Sequence, residues 1–375
     1  MIFILYTTEK LGELFHFEKK SKIKAGNGLD NGKYKFFTSS PIQNKFLNEY
    51  LFDNESLIFG TGGQPSIHYC NEKFATSTDC FVITPKSDKL LTKYVYFFFL
   101  NNMDVLERGF KGAGLKHISK KYLQNIEITF PIDISVQRNS IKKLTTIEEM
   151  LNLKNQSINL MDEYIKNKFY FLFGDIYRNP NNWEFKSLKE LGEIQTGNTP
   201  PRKDPENYGD YIEWMKSDNI NTPYIYLTKS KESLSEKGYS VGRIVPKNSI
   251  LVTCIAGSIK SIGNVAIANR EVAFNQQINS LTPNEEINEI YLYHLILYSK
   301  RYVQSFAKQS LKYILNKTTF SKIPIICPPI ELQNEFADFV TQIETIKLNQ
   351  FKSKEAIIEL FNITLKKSFK GMIQC

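Results

Sequence analysis

Apolar residues recur at steps of three and four along two long stretches of this chain. In the first they fall at Leu144, Ile147, Leu151, Ile158, Met161, Ile165, Phe169 and Leu172, with Lys154 interrupting one slot. In the second they fall at Leu332, Phe336, Phe339, Ile343 and Ile346, then at Ile357 and Leu360. Such stripes predict amphipathic helices with a heptad-like seam. Pro131 precedes the first stretch and Pro328-Pro329 the second, while Gly174 and Gly371 stand where helix stops are expected. A helix from Val136 to Phe173 would be roughly 55 Å long at ~1.5 Å per residue. That is too long to hide its stripe on one small domain. The natural partner is the other helix, giving an antiparallel coiled coil. Leu144, Leu151, Ile158, Met161 and Ile165 would then pack against Phe336, Phe339, Ile343, Ile346 and Ile357. The alternative is that each helix packs on its own domain.

The remaining sequence is short β-rich runs between Gly- and Asn-rich turns: Leu57-Ile-Phe59, Phe81-Val-Ile83, Ile250-Leu-Val-Thr253 and Val265-Ala-Ile267. The opening MIFILY reads as a first strand. One helix is expected over Thr92 to Phe110 and another over Ile290 to Lys308. The chain also repeats itself. Lys10-Leu-Gly-Glu-Leu14 recurs as Glu190-Leu-Gly-Glu-Ile194, Ala75 to Pro85 matches Ala273 to Pro283 in pattern, and Ile126 to Pro131 matches Ile323 to Pro328. A helical stretch follows each of the last pair, so the order is the same in both halves. The expected fold class is α+β: two pseudo-repeated mixed domains, each followed by a long helix. The predicted divisions are a domain over 1–134, a helix over 135–173, a linker over 174–182, a second domain over 183–329 and a helix over 330–372.

Charge then narrows the partner. The formal net charge is +9, which favours a polyanion such as nucleic acid or an anionic membrane. The excess sits in the domains: residues 1–134 carry 17 basic and 14 acidic side chains, and 183–329 carry 18 and 14. An AT-rich coding sequence also enriches Lys, Ile and Asn, so the distribution says more than the total. Between Glu107 and Glu127 there is no acid, but there are Arg108, Lys111, Lys116, His117, Lys120 and Lys121. Between Glu289 and Glu331 there is again none, against Lys300, Arg301, Lys308, Lys312, Lys317 and Lys322. Acid-free basic segments at the same place in both repeats suit phosphate contacts; a solvated face is the plainer reading. No apolar run approaches the ~20 residues of a membrane span. Cys70, Cys80, Cys254, Cys327 and Cys375 form no CxxC pair, which fits a reducing cytoplasm. His68, Cys70 and Cys80 lack a fourth ligand and the usual metal spacing, so no metal site is expected.

Catalytic equipment is hard to find. There is no GxxxxGK[ST] phosphate loop, and no nucleophile–base arrangement involves His16, His68, His117 or His294. Two segments favour a rival reading, a stand-alone DNA adenine methyltransferase. Phe59-Gly-Thr-Gly-Gly63 resembles a glycine turn for S-adenosylmethionine, and Asn221-Thr-Pro-Tyr224 resembles an NPPY base-holding motif. Both fail on context: the first runs into Ser66-Ile-His-Tyr-Cys70, which reads as a strand, and the second has Thr in place of a proline. No catalytic residue is assigned. The glycine loop has a counterpart at Thr253-Cys-Ile-Ala-Gly-Ser-Ile-Lys260. Small residues let a backbone approach its partner. Thr61, Gly62, Gln64 and Ser66, or Ser258 and Lys260, would then reach base edges or phosphates; a tight structural turn is the alternative.

These residues resemble, in order, the specificity subunits of type I restriction-modification systems, over essentially the whole chain. The resemblance rests on the LGE openings at 11–13 and 191–193, on Thr196-Gly-Asn-Thr-Pro200, and on Phe173-Gly-Asp175 leading to Asn182-Trp183-Glu184. Gly32 to Ser39 and Tyr211 to Asp218 look like paired target-domain segments. The resemblance implies two target recognition domains, each reading half of a bipartite DNA site, with the helices as spacer. Two methyltransferase subunits holding S-adenosylmethionine would dock on the helices, and a restriction subunit using ATP and Mg may join on its own account; the chain itself would bind no cofactor. Candidate DNA contacts are Lys35, Ser39, Ser40, Thr61, Gly62, Gln64, Ser66, Lys111, Lys116 and His117 in the first half. In the second they are Asn198, Arg202, Lys203, Lys216, Ser217, Asn219, Ser258, Lys260, Gln276, Lys308 and Lys312. The first repeat has Phe15-His-Phe-Glu18 where the second has its TGxTP stretch, so the two domains should read different sequences. Lengthening both helices by whole turns should change the preferred spacer and leave each half-site alone; selection from random DNA checks this, and altered half-sites with the old spacer would contradict it.

Overall fold

The computed structural model describes residues 4–369. Gly371, Cys375 and the first three residues of the expected opening strand lie outside the described residues. The chain divides into two compact units, Met1–Gln156 with Phe351–Cys375, and Ser157–Gln350. Each unit therefore takes part of both long helices, Ile134–Phe173 and Ile330–Ser368.

In the first unit a four-stranded antiparallel sheet runs in the order Phe15–Phe17, Cys80–Pro85, Ser56–Gly60, Ile67–Cys70. Leu57 and Phe59 point into a core with Tyr94, Phe97, Phe98 and Phe99 of the helix Thr92–Asn101. Ile58 points the other way, onto Phe37 and Phe74. A strand buried on both faces needs a continuous apolar run, which is what Leu57-Ile-Phe59 supplies. Phe37 and Phe74 belong to a smaller sheet, ordered Lys45–Leu47, Tyr34–Phe37, Phe74–Thr76, whose last pair is parallel. Tyr6–Lys10 pairs with Glu127–Pro131.

The second unit repeats this plan, with four strands in place of three in the smaller sheet. Its four-stranded sheet is ordered Gly192–Thr196, Ile278–Pro283, Ile250–Thr253, Val265–Ile267. Its other sheet again contains a parallel pair, Tyr208–Met215 with Val272–Phe274. Phe185–Ser187 pairs with Pro324–Ile326, and the helix Glu289–Tyr298 covers the sheet. The α+β duplication is thus a property of the fold and not only of the sequence pattern.

The long helices pair antiparallel. In the first unit Leu144 shares a core with Phe361, Leu365 and Phe369. In the second, Phe169 and Phe173 lie 5.5 and 5.4 Å from Phe336 between ring centres, and Tyr164 meets Phe339 edge-on at 5.0 Å. Lys168 reaches Glu335 at 3.1 Å. Ile158, Ile165 and Ile357 are buried, and Leu151, Met161, Phe339 and Ile343 half-buried.

The expected seam is corrected at two positions, Leu360, which is 47% exposed, and Ile346. Ile346 is 44% exposed, and its neighbour Lys347 is buried in its place. The seam advances through Phe336, Val340, Ile343 and Lys347 in alternating steps of four and three, and Ile346 falls one residue off it. The Lys347 ammonium donates to Asp162 at 2.6 Å and to Glu344 at 2.7 Å. Burial pushes its pKa down, but these two carboxylates outweigh burial and hold it above the usual lysine value. A buried charge without such partners would be strongly destabilising.

Three other expectations are revised. The helix expected over Thr92 to Phe110 is two helices, Thr92–Asn101 and Met103–Gly109. Asn102 breaks it, its side-chain amide donating to the Phe98 carbonyl at 2.7 Å in place of a backbone donor. Its counterpart breaks at Ser299, into Glu289–Tyr298 and Lys300–Ser305. The opening strand starts only at Tyr6, with Leu5 72% exposed. Gly174 ends the first long helix at φ +75°, a left-handed conformation that disfavours any side chain.

Each long helix is pinned to its globular part by a fully buried glutamine. The Gln137 amide accepts from the Leu91 N–H at 2.9 Å and donates to the carbonyls of Lys89 at 3.0 Å and Pro131 at 2.9 Å. Gln333 accepts from the Asn288 N–H at 2.9 Å and donates to the carbonyls of Glu286 at 3.1 Å and Pro328 at 2.7 Å. Replacing either by leucine removes the partner of three backbone groups, one of them, the Pro131 or Pro328 carbonyl, in a buried bond. Gln333→Leu should lower stability by about 2–4 kcal/mol, read as a reduced urea midpoint; an unchanged midpoint would show that the amide is dispensable.

Candidate nucleic-acid interface

In the first unit the strand Ser56–Gly60 runs into Thr61 and Gly62, turns at Gly63 with φ +81°, and returns as the strand Ile67–Cys70. The glycine turn therefore closes an antiparallel hairpin. A cofactor-binding turn of the expected kind opens into a helix, and this topology removes the methyltransferase reading of Phe59–Gly63. Asn221-Thr-Pro-Tyr224 lies in an irregular segment after the short helix Ser217–Ile220.

The loop does not stand alone. Residues 111–117 form a hairpin whose ends exchange backbone bonds, Lys111 N–H to His117 carbonyl and the reverse, both at 3.0 Å. Its second arm zips onto the glycine loop: Gly62 bridges to His117, the Ile118 N–H donates to the Thr61 carbonyl at 3.1 Å, and His117 Nδ1 lies 3.1 Å from that same carbonyl. Gly62 is required there, because a Cβ would meet the His117 ring at 2.9 Å. The second unit builds the same three-stranded ribbon. Ile255–Ala256 pairs with Tyr313–Ile314, which pairs with Lys308–Gln309. Ala256 takes the place of Gly62, Tyr313 that of His117, and the Leu315 N–H donates to the Cys254 carbonyl at 2.8 Å. Two sets of candidates that were separate in the sequence, the small-residue loops and the basic segments, thus form one surface feature in each unit.

The candidates differ in availability. Gln64, Lys111, Lys116 and His117 are exposed in the first unit, as are Lys203, Ser258, Lys260, Gln276, Lys308 and Lys312 in the second. Among the described residues Lys111, Lys116, Lys308 and Lys312 have no carboxylate within 4.0 Å. Gln276 accepts from the Thr199 hydroxyl, and Ser258 caps the short helical turn that carries Lys260.

Other candidates serve the fold itself. Thr61, Ser66 and Asn219 are buried. Ser39 organises the base of the glycine loop: its hydroxyl donates to the Asp79 carbonyl at 2.6 Å and accepts from the Thr61 and Gly62 N–H groups, while Ser66 donates to the Ser39 carbonyl. The Ser40 carbonyl lies 2.9 Å from His68 Nε2, and burial lowers the pKa of that ring. Cys80 donates to the Phe37 carbonyl and Cys70 to the Glu72 carbonyl. Lys35 pairs with Glu72 at 3.4 Å. Asn198 bonds to Val241 and Arg243 backbone groups, and Ser217 to Gln277. Arg202 stacks its guanidinium on Tyr208 at 4.6 Å and Trp214 at 5.2 Å. Arg202 and Lys216 both bind Glu232, whose carboxyl their hydrogen bonds, Lys216 first, hold below its usual pKa. One carboxylate thus holds both cations and offsets part of their charge within the domain.

The family described as type I restriction modification DNA specificity domain matches residues 5–162 and again 180–359. The chain belongs to this family. The type I restriction enzyme HindI specificity subunit of Haemophilus influenzae is 31% identical over 199 residues, 52% of this chain and 42% of that protein. The MjaIX specificity subunit of Methanocaldococcus jannaschii is 30% identical over 196 residues, 50% of this chain and 44% of that protein. The match thus spans under half the length of these two relatives. The crystal structure of the S subunit from M. genitalium shares the fold, with a TM-score of 0.64 at 16% identity over 99% of this chain and 97% of that one. The duplicated family match follows the duplicated ribbon.

Sequence reasoning passed over Leu115 and Leu311, which stand at the hairpin tips, 77% and 102% exposed. The signal was present: Leu115-Lys-His117 and Leu311-Lys-Tyr313 recur inside the two acid-free segments. If these hairpins meet phosphate, Lys116→Ala and Lys312→Ala should each flatten the slope of log K against log salt by about 0.9, measured on random-sequence duplex. Lys216→Ala should leave the slope alone; the reverse ranking would move the interface to the Glu232 cluster.

Proposed function

We propose that this chain is the DNA-recognition subunit of a type I restriction-modification complex, itself without catalytic activity, reading a bipartite duplex target with one half-site per repeat. The observation that carries this reading is the recurrence of one ribbon, with lysines free of carboxylate partners, on two copies of one scaffold. The chemistry on the two ribbons differs: Gly62, Gly63, Gln64 and His117 in one, Ala256, Gly257, Ser258 and Tyr313 in the other. Phosphate contacts position a protein and base contacts specify its sequence. Similar scaffolds with unlike tips therefore read unlike half-sites in similar poses. Gln64, Lys111, Lys116 and His117 act in one half, and Ser258, Lys260, Gln276, Lys308 and Lys312 in the other.

The long helices offer a surface for partners. Leu160, Tyr164 and Phe171 are 63%, 57% and 82% exposed. Their spacing of four and seven residues places them on one helical face; Tyr164 borders the seam through its edge-on contact with Phe339, and Leu160 and Phe171 lie away from Ile158, Ile165 and Phe169. Exposed apolar stripes of this kind mark association sites. Two methyltransferase subunits dock there in this reading and bring S-adenosylmethionine, while any restriction subunit brings its own ATP and Mg. The complex works in the cytoplasm; among the described residues no helix is long and apolar enough to cross a membrane.

Selection of bound duplexes from a random library tests the reading. The purified chain should enrich two unlike short motifs at fixed separation. Exchanging residues 308–313 for 111–117 should change one motif and leave the other. A single contiguous motif, or no enrichment, would overturn the proposal.

A further inference from the structure

Leu311 is as exposed as a residue can be, at 102%, and Leu115 is 77% exposed. A lone exposed leucine needs no explanation. These two need one because they occupy equivalent positions: each stands two residues before the strand residue, His117 or Tyr313, that zips onto the small-residue loop. Each is followed directly by a lysine, Lys116 or Lys312, and a second lysine lies on the opposite arm, Lys111 paired with His117 or Lys308 paired with Ile314. None of the four has a carboxylate partner among the described residues.

The tips are held from below. In the first unit the hairpin is closed by the paired 3.0 Å bonds between Lys111 and His117, and anchored by His117 and Ile118 on the Thr61 carbonyl. In the second, Tyr313–Ile314 is the central strand of the ribbon, and the Ser310 N–H closes the tip onto the Lys312 carbonyl at 2.9 Å. An apolar group on a pinned base, between cations, fits a partner whose apolar interior lies between rows of anions. A nucleic-acid duplex is such a partner: its stacked bases lie between phosphates, and leucine is among the side chains that enter a base step as a wedge.

We infer that Leu115 and Leu311 are wedges, each entering one base step of its half-site and unstacking it while the adjacent lysines hold the flanking phosphates. This rests on the DNA-recognition reading above and adds a mode of contact to it. Discrimination follows from deformability as well as from hydrogen bonding. Pyrimidine–purine steps, which unstack most readily, are then favoured under each tip even where no side chain reads the base edge.

The test uses the full chain alone, so that no methyltransferase is present to extrude a base. The probe is the selected duplex with 2-aminopurine placed at each position in turn, since this base fluoresces when unstacked. Binding should raise fluorescence several-fold at one step in each half-site. Leu311→Ala should abolish the rise in one half only, and Leu115→Ala in the other. Each should weaken binding about tenfold with an unchanged salt slope, and Leu311→Met should retain the rise. Both side chains are exposed, so circular dichroism should be the same for every variant. Tight, salt-dependent binding with no fluorescence rise, or a rise that survives both alanine variants, would overturn the wedge and leave DNA recognition standing. Failure to bind any duplex would remove the DNA reading itself. Leucine-dependent sedimentation with phosphatidylserine vesicles, without unstacking of DNA, would assign the tips to a lipid surface and overturn the inference.

Discussion

Gln137 and Gln333 each satisfy three backbone groups at the place where a globular part gives way to a long helix. At that place the chain leaves a strand and starts a long helix. Without the amides, the Leu91 and Asn288 N–H groups and the carbonyls of Lys89, Pro131, Glu286 and Pro328 would lose these partners, the Pro131 and Pro328 carbonyls in buried positions. Leaving such groups unpaired costs more than an ordinary hydrogen bond gains. One side-chain amide, with an acceptor and two donor hydrogens, meets the need at each junction. The helix thereby leaves its domain in a fixed direction, and the pairing of the two helices can specify the rest.

That pairing is specified by more than apolar area. A seam of leucine, isoleucine and phenylalanine tolerates a slip; a seam containing Lys347 does not. Its ammonium lies where Asp162 on one helix and Glu344 on its own can both reach it. A shifted register would bury the charge without its counterions, at a cost a small core cannot offset. Polar groups at the junctions and in the seam thus restrict the arrangements open to an otherwise hydrophobic assembly.

Charge pairing also divides the surface. Arg202 and Lys216 share the Glu232 carboxylate and Lys35 pairs with Glu72, and Arg202 gains further from the Tyr208 and Trp214 rings. Such cations shape the domain. Lys111, Lys116, Lys308 and Lys312 extend from hairpins without a carboxylate beside them, so their field is directed outward, where a polyanion concentrates. The duplication presents this arrangement twice, on similar scaffolds with different loop residues.

The sequence by itself determined the duplication, the two long amphipathic helices, the short β-rich runs and the two acid-free segments. All of these are written in residues close together, where periodicity and composition are read directly. It did not determine that each expected domain helix is broken at Asn102 or Ser299, because an interior amide or hydroxyl breaks a helix only where its surroundings favour the alternative bond. Nor did it show that Ile346 yields the seam to Lys347, or that the glycine loop and the basic segment are one object. Thr61 and His117 are 56 residues apart, Arg202 and Glu232 are 30 apart, and Lys347 and Asp162 are 185 apart. Only folding brings such pairs together, and it decides which cations are neutralised inside the protein and which are left to meet a partner.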